Sequence, residues 1–157
     1  MFRRILIPVD GSKAALAAVK AAFEIGEKFD SELQVLCVYR HYSLLEASMS
    51  MVRPEEPENL DDSMRDYAKS VVENAKEYAK KLGSRTVRGF VKSGPPARTI
   101  VSLAKEHKMD LIVMGSRGLG DVEGYLLGSV SHKVTSLAPM PVLVVKHGDL
   151  DDAADGD

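Results

Sequence analysis

The chain is expected to adopt an α/β fold: an open five-stranded parallel sheet of strand order 3-2-1-4-5, with helices on both faces. Three observations carry this expectation. Short apolar runs at Ile5–Val9, Leu33–Val38, Leu111–Met114 and Val142–Val145 are separated by stretches whose apolar residues recur at helical spacing. Strands that alternate with amphipathic helices build parallel sheets with right-handed crossovers. The 157 residues show no internal repeat and no linker, which suits one domain with a core of ordinary size. A late strand–loop–helix unit carries Gly115, Gly118 and Gly128, at the kind of place where open α/β sheets take ligands.

Arg3 to Asp10 reads as the first strand, with Pro8 near its end, where a missing N–H suits the rim of a sheet. Gly11 and Ser12 break it. Ser12 is a candidate N-cap, and Leu16, Val19, Phe23 and Gly26 trace a helical face to about residue 29. Glu32 to Tyr39 is the second strand. Residues 40 to about 60 hold Met49, Met51, Pro54, Pro57 and several acids. They read as an exposed excursion with a short helix around Ser43 to Met51, the alternative being a flap over a ligand or a partner-binding patch. Met64, Tyr67, Val71, Ala75, Tyr78 and Leu82 then mark an amphipathic helix closed by Gly83. Arg85 to Lys92 is the third strand, and Ser93-Gly94-Pro95-Pro96 a turn suited to opening a helix. Ile100, Val101, Leu103 and Ala104 build that helix, with His107 and Lys108 in its last turn. Asp110 to Met114 is strand four, 129–138 a helix with a capped start at Gly128-Ser129, and 142–146 strand five. Residues 1–147 make the domain and 148–157 an acidic, frayed tail.

Composition narrows the function classes. The last ten residues carry Asp149, Asp151, Asp152, Asp155 and Asp157 and no Lys or Arg, so the body holds 21 basic against 18 acidic residues. That is too mild a surplus for a nucleic-acid footprint. No apolar run approaches a membrane span, and no charged segment leads into an apolar one, so neither insertion nor export is expected. Cys37, the only cysteine, sits in an apolar stretch and reads as a buried reduced thiol of a cytoplasmic protein. The four histidines, at 41, 107, 132 and 147, are scattered without ligand spacing, so no protein-held metal is expected.

The site follows from strand order. With order 3-2-1-4-5 the reversal lies between strands one and four, which end at Asp10 and Gly115. The acid and the glycine loop then face one crevice. Asp10 is placed to accept hydrogen bonds from a ribose or base. The glycine loop and the start of the following helix offer backbone N–H groups to a phosphate. Counting excludes two other phosphate motifs. A G-x-G-x-x-G starting at Gly118 and Gly120 needs glycine at 123, which is Glu123, and no Gly-Lys pair exists for a P-loop.

The pattern Gly115-x2-Gly118-x9-Gly128-Ser129 resembles the nucleotide-binding signature of the universal stress protein family, in its ATP-binding branch. The likeness spans roughly residues 3 to 146 and includes the opening Ile5 to Asp10, the Gly94-Pro95-Pro96-Ala97 turn and the closing Ala138 to Val145. It implies a Rossmann-like fold akin to the adenine nucleotide alpha hydrolases, and a role in stress response as a nucleotide-dependent regulator or sensor. It also implies site residues: Pro8, Val9 and Asp10 around adenine and ribose, Val38 at the adenine edge, and Met114, Gly115, Gly118, Gly128, Ser129 and Val130 at ribose and phosphates. Ser12 and Arg117 complete the candidate set. The spacer carries Asp121 and Glu123, with Arg117 its only cation, so ATP is expected to arrive with Mg²⁺ held by its phosphates.

No catalytic base stands out. The alternative to a binder is a slow ATPase or a self-phosphorylating enzyme with Ser12, Ser129 or Ser131 as acceptor. The apolar fifth strand is a hazardous open edge, and the resemblance implies a homodimer paired through 142–146. The protein partners and the stress are not legible in the residues.

Overall fold

The computed structural model describes residues 1–40, 57–118 and 127–146. In chain order the elements are β1 (Arg4–Pro8), α1 (Lys13–Phe29), β2 (Glu32–Tyr39), α2 (Pro57–Leu82), β3 (Val87–Ser93), α3 (Pro96–Glu106), β4 (Leu111–Gly115), α4 (Ser129–Leu137) and β5 (Val142–Val145). The expected short helix around Ser43 to Met51, the spacer acids Asp121 and Glu123, and the acidic tail lie outside the described residues.

The five strands form one parallel sheet of order β3-β2-β1-β4-β5, as expected. Side-chain alternation along each strand sorts the core into two layers. Ile5, Ile7, Val35 and Val113 pack with Val19 of α1 and Val72 of α2 on one face. Leu6, Leu36 and Ile112 pack with Ile100 and Leu103 of α3 and Val134 of α4 on the other. Both faces of β1 are therefore buried, which is why it reads as a continuous apolar run rather than an alternating one.

The sheet opens between β1 and β4. β1 follows β2 from Arg4↔Glu32 to Pro8↔Leu36, but pairs with β4 only at Ile5↔Leu111 and Leu6↔Ile112. Pro8 supplies a reason. The Val9 N–H bonds to Leu36 O on β2, and successive strand N–H groups point to opposite sides, so the N–H that Pro8 lacks would have faced β4. The ladder loses a donor at the point where the two strands part.

Several boundaries differ from the sequence reading. The β1 ladder is shorter than Arg3–Asp10, because Val9 and Asp10 already belong to the turn into α1. α2 begins at Pro57 rather than near Met64. Its fully buried face starts at Ala68 and continues through Val71, Val72, Ala75 and Ala79, and before Met64 only the half-buried Leu60 extends the apolar spacing, while Pro57 suits an opening turn. Strand three runs from Val87 to Ser93, a shift of its expected start away from Arg85. His107 is the C-cap of α3 and Lys108 lies beyond it at φ 55°, so neither is within the last turn. α4 ends at Leu137 with Ala138 as C-cap, and β5 ends at Val145.

Candidate functional site

Parallel strands joined by right-handed crossovers bring the helix N-termini to the carboxyl end of the sheet. Those of α1, α3 and α4 converge on one cavity of about 300 Å³ above the β1–β4 opening, a volume at the lower end of small-molecule sites. None of the three helices has an acidic residue in its first turn. Acids are favoured there because they offset the positive end of the helix. Here that partial charge is left for something else.

Asp10 and Ser12 form the α1 side. Gly11 turns the chain at φ 92°, a conformation that favours glycine. The Ser12 N–H then donates to Asp10 Oδ1 at 2.9 Å, and the Ala15 N–H donates to Ser12 Oγ at 3.1 Å. Ser12 is thus the N-cap of α1, as its sequence position suggests, and the bond from its amide fixes the Asp10 carboxylate at the mouth of the cavity.

The opposite wall comes from the end of β4 and the start of α4. The Ser116 N–H bonds to Val145 O at 2.9 Å and the Gly128 N–H to Ser116 O at 2.6 Å, so both ends of the glycine loop are tied to the sheet. The helix starts at Gly128-Ser129 as expected: Gly128 is the N-cap, at φ −71° and ψ 168°, with no side-chain hydrogen bond. The first helical bond runs from the His132 N–H to Gly128 O at 3.0 Å. The amides of Ser129, Val130 and Ser131 consequently have no acceptor among the described residues.

Eleven of the twelve candidate residues line this cavity: Pro8, Val9, Asp10 and Ser12; Val38; Met114, Gly115, Arg117 and Gly118; Ser129 and Val130. Gly128 does not line it and is buried behind as the α4 cap. Residues 10 and 118 therefore do share one crevice. Gly115 has a different reason to be glycine from the one read in the sequence. A Cβ there would lie 2.9 Å from the Ala14 carbonyl carbon and 3.0 Å from its oxygen. Its bare backbone admits the first turn of α1 at the edge of the cavity that it also lines.

Five further lining residues escaped the sequence reading, namely Ala15, Leu36, Arg40, Pro96 and Ile100, and Ser131, named there only as a possible phosphoryl acceptor, lines the cavity as well. Strand parity could have found one, since Leu36 shares a face of β2 with Val38, whereas Arg40 lies just beyond the end of β2. Pro96 and Ile100 needed the helix N-termini to be placed in space. Leu36, Val38, Pro96, Ile100, Met114 and Val130 make one side of the cavity apolar. Arg40 and Arg117 contribute two guanidinium groups, and neither forms an ion pair among the described residues. No group of three or more His, Cys, Asp or Glu side chains able to hold a metal occurs among the described residues. His107 bonds through Nδ1 to Gln34 Oε1 at 2.9 Å and packs edge-on against Phe90, a structural role at the far end of α3.

Cys37 lies beneath the site, 5% exposed. Burial, and then the charge of Asp10, push its thiol up to about 11. An unfolded thiol ionises near 8.5, so between these values the unfolded chain holds fewer protons and stability falls as pH rises. Denaturation midpoints of wild type and Cys37→Ala from pH 8 to 11 are expected to diverge, with the steeper fall in wild type. Parallel curves would show that the thiol is not shielded. At pH 8 iodoacetamide is expected to label Cys37 only after unfolding.

Fold and site together define an open parallel α/β protein with a crevice at its topological switch point, lined by apolar side chains, by two guanidinium groups and by the start of α4. The chain belongs to the universal stress protein family, whose sequence model matches residues 1–146. It is 36% identical over 150 residues to universal stress protein YxiE of Bacillus subtilis (strain 168), covering 93% of this chain and all of that protein. Among solved structures, the hypothetical protein MJ0577 superposes with a TM-score of 0.79 at 30% identity, over 95% of this chain and 99% of that one. A universal stress protein in complex with cAMP superposes with a TM-score of 0.67 at 27% identity, over 92% and 97%. No helix among the described residues is long and apolar enough to cross a membrane.

Proposed function

We propose that this chain binds an adenine nucleotide, ATP with Mg²⁺, in the crevice between β1 and β4, and acts in stress response as a nucleotide-dependent regulator or sensor. The observation that carries the reading is the pairing of an apolar slot with an anion-seeking wall in one cavity. The unbonded amides at the start of α4, with Gly118 and Arg117, suit phosphate oxygens. Leu36, Val38, Pro96 and Ile100 suit the faces of a purine ring. Asp10, anchored by the Ser12 amide, suits ribose hydroxyls. The related universal stress protein in complex with cAMP supports the choice of adenine.

Heat-denaturing freshly purified protein and chromatographing the supernatant tests this directly, together with titration calorimetry of ATP against GTP. Adenine nucleotide is expected in the supernatant, and ATP is expected to bind more tightly than GTP. No bound nucleotide and no ATP binding would overturn the proposal. A second reading, slow self-phosphorylation, is narrowed by geometry: Ser12 Oγ caps α1 and Ser131 Oγ bonds to main chain, while Ser129 is exposed at the cavity. Conversion of carried ATP to ADP during incubation with Mg²⁺ would favour turnover. The β5 edge, with Leu143 exposed, supports a homodimer paired through that strand.

A further inference from the structure

We propose that Ser131, a residue of the first turn of α4, is a positioning residue for the anionic end of the ligand. The proposal rests on the nucleotide-binding reading above. The Ser131 side chain is 3% exposed. Its hydroxyl lies 2.8 Å from Ser116 O and 3.1 Å from Gly128 O, so its one proton is shared between two carbonyls. Those carbonyls stand immediately before the two groups of anion-seeking atoms: Ser116 precedes Arg117 and Gly118, and Gly128 precedes Ser129 and Val130. The nine-residue spacer between Gly118 and Gly128 is too long to set the separation of the two groups by covalent geometry alone. The shared hydroxyl, with the Gly128 N–H bond to Ser116 O at 2.6 Å, sets it instead.

The same contacts explain why the hydroxyl can be removed without unfolding the chain. In Ser131→Ala, Ser116 O keeps the Gly128 N–H, and Gly128 O keeps the His132 N–H at 3.0 Å. Neither carbonyl is orphaned, and alanine is the better helix former. What is lost is one of the two cross-ties between the two sides of the proposed phosphate wall, the Gly128 N–H bond to Ser116 O remaining. Apart from Val130, the apolar slot is built from β2, α3 and Met114, which do not depend on that tie. Removing the hydroxyl therefore acts on phosphate recognition and not on recognition of the base.

The test compares adenosine, AMP and ATP binding to full-length wild type and Ser131→Ala by calorimetry, with melting curves to establish folding. ATP and AMP affinities are expected to fall roughly 5- to 10-fold, the scale of one hydrogen bond, while adenosine affinity is unchanged. An equal loss for adenosine and ATP, or no loss for either, would overturn the positioning role. If the alanine variant does not fold, Ser131→Thr keeps the hydroxyl on the same turn; it is expected to retain the wild-type ratio of ATP to adenosine affinity, and loss of that ratio overturns the proposal. A wild-type protein that binds none of the three would refute the nucleotide reading itself, an outcome distinct from failure of the Ser131 assignment.

Discussion

A Gly118→Val variant is expected to fold like wild type and to lose nucleotide binding. Gly118 lines the cavity on the wall that carries Arg117 and Ser129, beyond the end of β4. A branched side chain there stands between the backbone and any phosphate drawn to it. A charge-assisted hydrogen bond of this kind is worth about 1.5–3 kcal/mol, so losing even one corresponds to roughly 10- to 100-fold in affinity, and the steric block adds to it. Calorimetry with ATP, beside circular dichroism and size-exclusion profiles, reads both halves of the expectation. A folded Gly118→Val protein that binds ATP as wild type does would remove Gly118 from the site.

At Gly115 the same motif is expected to fail in the opposite way, through stability. The added Cβ of Gly115→Ala would lie 2.9 Å from both the carbonyl carbon and the Cβ of Ala14, and 3.0 Å from the carbonyl oxygen. Main chain cannot rotate aside as a flexible side chain can, so the first turn of α1 must move off β4. Overpacking of this kind costs about 1–3 kcal/mol, which for a domain of this size lowers Tm by roughly 2–12 °C. Thermal melts check the expectation, and an unchanged Tm would mean that α1 has room to give. Both glycines line the cavity, and the two variants separate the one that also packs against α1 from the one beyond the end of β4.

The candidate site was legible where chemistry and strand order coincide. Asp10 ends an apolar strand, Gly118 follows another, and the switch-point rule joins them across a hundred intervening residues. Arg40 was not legible as a site residue because a charged residue at a strand end reads as solvent-facing until the neighbouring helix is placed. Pro96 and Ile100 read as a helix opening and a core position, and they are both; only their distance from Val38 makes them cavity walls as well. The start of α4 at Gly128-Ser129 was legible, whereas the hydroxyl bonds that Ser131 makes inside the first turn were not.

Apolar runs and helical spacing determined by themselves that there would be five strands, their order along the chain and the two-sided burial of β1, because side-chain period and continuity are local properties of the residues. Tertiary structure alone decided where the sheet parts, that Gly115 packs against α1 as well as lining the cavity, and which hydroxyl bonds to both Ser116 O and Gly128 O. Those outcomes depend on distances of a few tenths of an ångström between elements far apart in the chain, and such distances are set by packing.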